Sequence, residues 1–498
     1  MESSTSPLPP EGGGPRNTTE AEGSARTPVK KDARAAPAES GRTLWGVPAV
    51  RLAELVRRRS VSPLEVVRQH LDRIEAMDGE LNAFQAVLRK EALAAAADLE
   101  RRPDLGELPL AGVPVAVKDC FDVAGVPTRQ GSRSTAAGPA PADDPLVARL
   151  RDAGAVVIGK TAQPELAIWA HTDTLLHGPT RNPWRPRLTP GGSTGGGAAA
   201  VAAGMAPLAL GTDGGGSIRI PAAMCGLFGL KPASDVLGPP GGPGAHWHGL
   251  TASGALATSV PDAALMLEVM TGDERFARID APAAAVKVAV SLRSPLAGMS
   301  AGRAFRGAVA AAASLLRASG HEVREASPAY PLLVGLQWTR NWLAGIAVDV
   351  AGLPDRERLE RATREMAALG ERLQPDHRAP RRLQERMAAF FAEHDVLLMP
   401  TIAGWMPAAG WTRRGFLSSY LRHTRAVPFT QVWNLADLPA VSVPMGLDAS
   451  GLPLSVQLVA GRGGEGLLLS LAFQIEEQAA WPRLAPLRRS ATDSASGR

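Results

Sequence analysis

The sequence from Pro190 to Pro232 reads PGGSTGGGAAAVAAGMAPLALGTDGGGSIRIPAAMCGLFGLKP, and the rest of the chain is best interpreted around it. Two glycine-rich turns, each holding one serine (Ser193 and Ser217), are joined by a short Ala- and Val-rich segment. Because glycine has no bulky side chain, the backbone N–H groups of such a turn can converge on one point that a substrate reaches. A serine that ends such a run is suited to be a nucleophile whose own turn supplies the oxyanion donors. A flexible loop or a phosphate-binding turn would have a similar composition.

A candidate base lies upstream, in the segment AGVPVAVKD at residues 111–119. Its apolar run predicts a buried strand that ends at Lys118. With GGSTGG at 191–196 and GTDGGGSIRIPA at 211–222, this segment resembles the motifs of the amidase signature family of serine hydrolases. The two serines are 24 residues apart, which is also the family's spacing. Thr194 replaces a second serine that the family usually has, and a hydroxyl is kept there.

The resemblance implies an α/β fold: a single large domain with a central mixed, twisted β-sheet covered by helices on both faces. It also implies a mechanism in which Ser217 attacks the amide carbonyl, Ser193 relays the proton and Lys118 is the base. The expected oxyanion donors are the backbone N–H groups of Gly214, Gly215, Gly216 and Ser217. The mechanism needs no metal, nucleotide or organic cofactor, and histidine has no part in it.

Lys118 must be neutral to accept a proton. A free lysine has a pKa near 10.4, and lowering it to roughly 7–8 costs about 4 kcal/mol. Burial at a strand end, beside the positive end of a helix predicted over 198–203, shifts the pKa in that direction. By resemblance, Ser193 takes part in a cis peptide bond. Asp213 and Arg219 are expected to hold the turn, and Asp119 to have a structural role.

Three functions compete at this stage. The first is a stand-alone amidase that acts on a small or hydrophobic carboxamide, and the second is the glutaminase subunit of a tRNA-dependent amidotransferase. The third is a catalytically silent scaffold or binding protein, which the presence of Lys118, Ser193 and Ser217 together argues against. The idiosyncratic region at 330–395 and the Gly- and Pro-rich N-terminal tail favour the first.

The amino-acid composition limits the kinds of binding partner that we expect. The 498 residues are 45% hydrophobic and 21% charged, which is ordinary for a globular enzyme with a sizeable core. The net charge is only +5, and no block of Lys and Arg is interleaved with aromatic residues, so nucleic acid is not an expected partner. The start of the chain lacks a leader-like pattern, and the apolar run at 198–210 is too short to span a bilayer. We therefore expect a cytoplasmic enzyme with a small-molecule amide substrate and no membrane partner, and a homodimer is a candidate assembly.

The predicted organisation is a disordered tail at 1–43, the amidase domain at 44–485 and a loose tail at 486–498. Within the domain, 330–395 is expected to be a variable helical region that shapes the substrate pocket. Three later segments, 429–435, 438–444 and 451–459, resemble closing segments of the family and are predicted to return strands to the sheet.

Two segments imitate other kinds of site. GAVVIGKT at 154–161 satisfies the P-loop pattern, but its four variable positions are apolar and largely β-branched, which indicates a strand. His246 and His248 could ligate a metal, but no Cys, Asp or Glu follows at ligand spacing. We expect neither a nucleotide site nor a metal site.

Two pairs of side chains stay open at this stage. Cys120 and Cys225 both lie beside the proposed site, where free thiols are favoured over a disulfide. Trp338 and Trp342 are one helical turn apart, a spacing that is more typical of core packing than of ligand contact.

Overall fold

The fold is organised around strands that are buried on both faces, as the apolar runs ending at Lys118 and Thr161 predict. A computed structural model describes residues 43–242, 246–279, 284–479 and 481–486. The strands of this described part are β1 (Phe84–Val87), β2 (Pro114–Lys118), β3 (Val156–Thr161), β4 (Asp173–Thr174), β5 (Gly178–Pro179), β6 (Leu208–Asp213), β7 (Phe228–Lys231), β8 (Ala252–Ala257), β9 (Lys287–Val290), β10 (Glu322–Glu325), β11 (Val396–Pro400), β12 (Ala440–Leu447) and β13 (Pro453–Ala460).

All of these except β4 and β5, which pair with each other, form one mixed sheet of eleven strands. Its order is β1-β3-β2-β6-β8-β7-β12-β13-β11-β9-β10. The pairs β3–β2, β2–β6, β11–β9 and β9–β10 are parallel, and the six remaining pairs are antiparallel. Because β2 and β6 are parallel neighbours, Lys118 and Thr212 lie at the same edge of the sheet.

The helices begin and end where local sequence signals allow. Ser62 caps the helix that follows it, its hydroxyl accepting the backbone N–H of Glu65 at 3.0 Å, and Pro63 is the first helical residue. The helices are α1 (Ala49–Arg57), α2 (Pro63–Leu81), α3 (Arg89–Glu100), α4 (Pro145–Asp152), α5 (Gly195–Ala202), α6 (Arg219–Cys225), α7 (Val260–Thr271), α8 (Arg303–Ala318), α9 (Val334–Ala351), α10 (Arg361–Gly370), α11 (Arg378–Glu393), α12 (Phe416–Ala426), α13 (Gln431–Leu435) and α14 (Glu465–Ala479).

Two hydrophobic clusters lie on opposite faces of the sheet. Along β11, Val396 and Leu398 belong to one cluster, and Leu397 and Met399 belong to the other. Since successive side chains of a strand point to opposite faces, this alternation places one core on each side. Helices such as α5, α7 and α14 cover the first face, and helices α9–α13 cover the second. The predicted sheet with helices on both faces is confirmed.

One element prediction is wrong. The segment at 429–435 is not a strand: its residues Gln431–Leu435 form α13, whereas the segments at 438–444 and 451–459 supply β12 and β13 as predicted. The apolar residues of this short segment fit a buried helix as well as a buried strand, and periodicity does not separate the two over so few residues.

The described residues fall in one compact unit, Gly41–Arg498. Residues 1–42 and 487–498, which make up nearly all of the two predicted tails, lie outside the described part, so the tails stay a prediction. In the part of the chain that is described, no helix has the length and apolar character needed to cross a membrane.

Candidate active site

The sheet brings the predicted base to its predicted relay. Lys118 ends β2, and its Nζ donates hydrogen bonds to Ser193 Oγ at 2.7 Å and to Thr212 Oγ1 at 2.6 Å. Thr212 belongs to β6, the neighbouring parallel strand, and was not predicted from the sequence as a partner of the lysine. Its side-chain contact depends on the pairing of β2 with β6, which no local sequence signal specifies.

Lys118 is wholly buried. Burial lowers the pKa of its amine from the ordinary 10.5 to about 8, against the nearby Cys120 and Asp213, whose negative charge would raise it. With a pKa of about 8, about one amine in ten is neutral at pH 7. The lysine is therefore suited to accept a proton near neutral pH.

The turn that carries Ser193 is tightly enclosed. The Gly192–Ser193 peptide bond is cis, as expected, and a Cβ atom added to Gly192 would lie 2.5 Å from the backbone oxygen of His171. Helix α5 begins two residues after Ser193. The positive end of this helix is thus close in the chain to Ser193, whose Oγ accepts a hydrogen bond from Lys118.

The two serine turns are joined through Thr194. The Thr194 backbone N–H donates to Ser217 O at 3.0 Å, and Thr194 Oγ1 donates to Thr212 O at 3.2 Å. No hydrogen bond within the described residues links the hydroxyls of Ser193 and Ser217. The Ser217 hydroxyl makes no hydrogen bond to any other described residue either. Ser217 borders an open cavity.

Asp213 and Arg219 hold the second turn from inside. Both side chains are completely buried, and Arg219 donates from Nε to Asp213 Oδ2 and from Nη2 to Asp213 Oδ1, each at 2.9 Å. Asp213 also accepts the backbone N–H groups of Gly216 (2.6 Å) and Ile218 (3.2 Å). Burial alone would raise the pKa of Asp213, but the guanidinium of Arg219 holds that pKa well below its usual range. The geometry agrees with the structural role predicted for this pair.

Residues from the end of the chain complete this network, and sequence reasoning missed them. Arg219 donates to Asn434 Oδ1 at 2.6 Å and to Gln457 Oε1 at 2.7 Å, and Asn434 Nδ2 donates to Asp213 O at 2.7 Å. Asn434 lies in α13 and Gln457 in β13. The available signal was a polar amide inside each of two apolar stretches, since buried polar groups need partners.

The predicted oxyanion donors differ in availability. The Gly216 N–H donates to Asp213, so this predicted donor is already engaged. The N–H groups of Gly214, Gly215 and Ser217 have no acceptor within the described part of the chain. On the other side of the turn, Gly214 O accepts from Trp338 Nε1 at 3.0 Å and Gly215 O accepts from Thr430 Oγ1 at 2.7 Å.

Ser217 borders a cavity that opens to solvent, with about 490 Å³ of empty space when the open solvent is included. Gly215 also lines it, and much of its wall is aromatic. The aromatic residues of this lining, which we call the aromatic cavity, are Trp169, Trp247, Trp338, Trp342, Tyr420 and His423. The interpretation of Trp338 and Trp342 as core residues is therefore incomplete: they belong to a buried cluster and also face the space beside Ser217.

The segments that imitate other sites have structural roles. In the P-loop-like segment, residues Val156–Thr161 form a buried strand, and Lys160 pairs with Asp119 at 3.0 Å between two buried side chains. Cys120 and Cys225 are free thiols. His246 Nδ1 lies 2.8 Å from Thr251 Oγ1, and no group of three or more His, Cys, Asp or Glu in the described part is placed to hold a metal ion.

Comparisons with known proteins show similarity to amidases. The family model described as Amidase matches residues 65–469. AmiB2 of Mycobacterium tuberculosis (strain ATCC 25618 / H37Rv) is 43% identical over 431 residues, which cover 84% of this chain and 93% of that protein. An acylamidase of Rhodococcus erythropolis is 30% identical, covering 88% of this chain and 96% of that protein. The crystal structure of a bacterial aryl acylamidase matches with a TM-score of 0.78 and 26% identity, covering 88% of this chain and 97% of that one.

Proposed function

The chain belongs to the amidase signature family of hydrolases, and from that premise we propose that it cleaves a carboxamide C–N bond through an acyl-enzyme on Ser217. The observation that carries the proposal is the 2.7 Å hydrogen bond from a wholly buried Lys118 to Ser193, on a turn joined to that of Ser217. A buried amine with a lowered pKa, next to a hydroxyl, is the arrangement that activates a nucleophile without histidine.

In the proposed first step, Ser217 Oγ attacks the carbonyl carbon of the amide. The Ser217 proton passes to Ser193 Oγ, whose own proton passes to neutral Lys118. Since Ser193 and Ser217 make no direct hydrogen bond, this transfer requires the two hydroxyls to approach when substrate is bound. The carbonyl oxygen, which now carries a negative charge, then accepts hydrogen bonds from the N–H groups of Gly214, Gly215 and Ser217.

The second step returns the proton. Lys118, now an ammonium, gives its proton through Ser193 to the nitrogen of the leaving amine, and the C–N bond breaks. Water then attacks the Ser217 ester and gives its proton through Ser193 to Lys118. The ester C–O bond breaks, the proton returns through Ser193 to Ser217 Oγ, and the carboxylic acid is released. One oxyanion donor of this kind is worth about 3 kcal/mol of transition-state stabilisation.

Active-site labelling tests the proposal directly. The full chain is treated with a broad fluorophosphonate and analysed by intact and peptide mass, as wild type, Lys118→Ala and Ser217→Ala. Ser314→Ala serves as the matched control, because Ser314 is exposed on α8, where it donates to Ala310 O. We expect one adduct on the Ser217 peptide, slower labelling in Lys118→Ala, none in Ser217→Ala and normal labelling in the control.

Hydrolysis of simple carboxamides by the same four proteins is measured in parallel. Labelling that persists in Ser217→Ala would identify a different nucleophile. Absence of both labelling and hydrolysis from neutral to alkaline pH would contradict a self-sufficient amidase and favour either a partner-dependent glutaminase or a silent protein of this fold.

A further inference from the structure

Two cavities flank the proposed reaction centre, and their linings differ in chemistry. The aromatic cavity borders Ser217 and Gly215, and no Asp, Glu, Lys or Arg is among the described residues that line it. A second cavity borders Thr212 and Cys120, and Asp122, Asp144, Asp349 and His246 also line it. We call this second space the acidic cavity.

Three polar groups on the aromatic walls are already taken by protein partners, whereas the indole N–H groups of Trp169 and Trp342 have none within the described residues. Trp338 Nε1 donates to Gly214 O at 3.0 Å, and Trp247 Nε1 donates to Asp349 Oδ2 at 2.7 Å. The Tyr420 hydroxyl lies 2.7 Å from Thr339 Oγ1. These three side chains therefore present mainly the carbon atoms of their rings to a ligand in the cavity.

The rings around Trp342 stand in two orientations. Trp338 is stacked on Trp342 with centroids 4.9 Å apart, whereas Trp169 meets Trp342 edge-on at 5.9 Å with an interplanar angle of 79°. Trp247 also meets Trp342 edge-on, at 6.5 Å. A flat aromatic ligand could meet faces and edges of these rings in the arrangements that aromatic pairs prefer.

The aromatic cavity is also uncharged at neutral pH. His423 is the only imidazole among the described residues of the lining. Its Nδ1 donates to Ser419 O at 2.7 Å, and its Nε2 lies 2.9 Å from His171 Nδ1. Burial lowers the pKa of His423 to about 4, so the ring is neutral at pH 7.

The positions of the two cavities indicate which part of the substrate each would receive. The leaving amine must take its proton from the relay, and Thr212 and Cys120, both close to Lys118, line the acidic cavity. The acyl group stays bound to Ser217, which lines the aromatic cavity. Resting on the proposed function, we infer that the aromatic cavity is the acyl subsite and that it selects amides whose acyl part carries an uncharged, planar aromatic ring.

The experiment compares substrates that differ only in the ring. Phenylacetamide and cyclohexylacetamide have the same reactive group, insulated from the ring by a methylene, so their difference in kcat/KM reports ring recognition. Ring-specific contacts of this kind are worth about twofold to tenfold, and we expect phenylacetamide to be preferred by that factor. The reversed pair, N-benzylacetamide and N-(cyclohexylmethyl)acetamide, places the same rings on the amine side, where we expect no aromatic preference.

Variants locate the preference. Trp342→Leu should abolish it and Trp342→Phe should keep it. Tyr420→Leu, at a half-buried wall position, should reduce it even if Trp342→Leu does not fold, and folding is checked by fluorophosphonate labelling of Ser217. Trp405→Leu is the matched control: Trp405 is half-buried beside Phe305, away from the cavity, and its loss should leave both rates unchanged.

Three results would overturn the inference. They are equal kcat/KM values for the two acyl rings, an aromatic preference only in the reversed pair, and a preference that survives both Trp342→Leu and Tyr420→Leu in folded protein. In these cases hydrolysis still occurs and the proposed function stands. If Ser217 is not labelled and no carboxamide is cleaved, the proposed function and this inference fail together.

Discussion

Lys118 is a buried amine that donates hydrogen bonds to two hydroxyls, Ser193 Oγ and Thr212 Oγ1. Because only the neutral amine accepts a proton, activity depends on deprotonation of this group. Its pKa is lowered from 10.5 to about 8, so the amine is charged below that pH and neutral above it. We predict that kcat/KM rises with pH through about 8 and then levels off, as measured from pH 6 to 10.

The same profile in Lys118→Ala should lack this rise, with activity reduced by about 10²- to 10⁴-fold, the usual contribution of a general base. A wild-type profile that is flat between pH 6 and 9 would mean that another group limits the reaction.

A substitution at Thr212 tests more directly how the surroundings of Lys118 set its pKa. Its hydroxyl accepts from the lysine, and an acceptor favours the charged form of an amine. We predict that Thr212→Val moves the rise in kcat/KM to lower pH by about one to two units, since a hydrogen bond to a charged group is worth about 1.5–3 kcal/mol. Thr212→Ser keeps the hydroxyl and should keep the wild-type profile; identical profiles for Val and Ser would count against this role.

At this scale the sequence allowed Lys118, Ser193 and Ser217 to be chosen, because each lies in a motif with few alternatives. The contact of Lys118 with Ser193 agrees with the choice, although their catalytic roles stay a prediction. Thr212 lies inside the quoted GTD motif and was still missed. Its hydroxyl meets the lysine only because β2 and β6 are paired in parallel, and no local pattern specifies which strands pair.

At the scale of elements, the turn between β6 and α6 depends on a buried ion pair. Asp213→Asn would leave the guanidinium of Arg219 buried without its counter-charge, and breaking such a pair by removing one partner typically costs 3–5 kcal/mol. We predict a marked fall in the urea midpoint, followed by tryptophan fluorescence, together with loss of Ser217 labelling. Glu385→Gln breaks an exposed pair with Arg381 on α11 and should change stability by less than about 1 kcal/mol. Equal midpoints for the two variants would disprove a structural role for Asp213.

Helix α9 contacts the turn at Gly214–Ser217, which carries the proposed oxyanion donors, through Trp338. The Gly214–Gly215 peptide is trans, so the hydrogen bond from Trp338 Nε1 to Gly214 O also directs the Gly215 N–H to the opposite side. We predict that Trp338→Phe, which keeps a ring but loses the donor, lowers kcat by up to about tenfold and changes KM little.

Trp342→Phe is the control for this variant, since the Trp342 indole N–H has no hydrogen-bond partner within the described residues. An unchanged kcat in Trp338→Phe, or a change confined to KM, would show that Trp338 contributes packing alone.

Element by element, the sequence was most informative where a strand or helix had its own end signals, as at Ser62 and Lys118. It was least informative where the structure of a short apolar segment depends on contacts with residues that are distant in sequence. In the segment at 429–435, a strand was predicted, but α13 places Asn434 against Asp213 and Arg219. The helical spacing of Trp338 and Trp342 fits core packing and cavity lining equally well, because both need an apolar face.

At the scale of the whole molecule, a buried pair of carboxyl groups should affect stability. Burial, and then the neighbouring Glu165, raises the pKa of Glu360 to about 8. The folded state therefore keeps this proton at pH values where the unfolded chain, with a pKa near 4.5, has lost it, and stability falls as pH rises from about 4.5 to 8. We predict that Glu360→Gln, which resembles the protonated form, has a higher urea midpoint than wild type at pH 8 and a similar one at pH 5. A midpoint lowered at pH 8 would contradict the raised pKa.

The fold class could be predicted because three motifs lie in a fixed order along one chain and resemble one family. The order of the eleven strands could not be predicted, since β12 and β13 lie between β7 and β11 although they come last in the chain. The chemistry of the pocket was equally inaccessible. Its walls combine Trp169 with Trp342 and Tyr420, which are far apart in sequence, and of these three only Trp342 lies in the variable region at 330–395.

The late arrival of β12 and β13 has a consequence for synthesis on the ribosome. Until residues 440–460 have emerged, β6, β7 and β8 have no strand connecting them to β11, β9 and β10, and Arg219 lacks its Gln457 partner. Domains of nascent chains generally fold as units, and here the unit is closed by one of its last segments. A truncated translation product would carry Lys118, Ser193 and Ser217 and still lack a finished turn, so premature termination should yield inert fragments rather than an unregulated hydrolase.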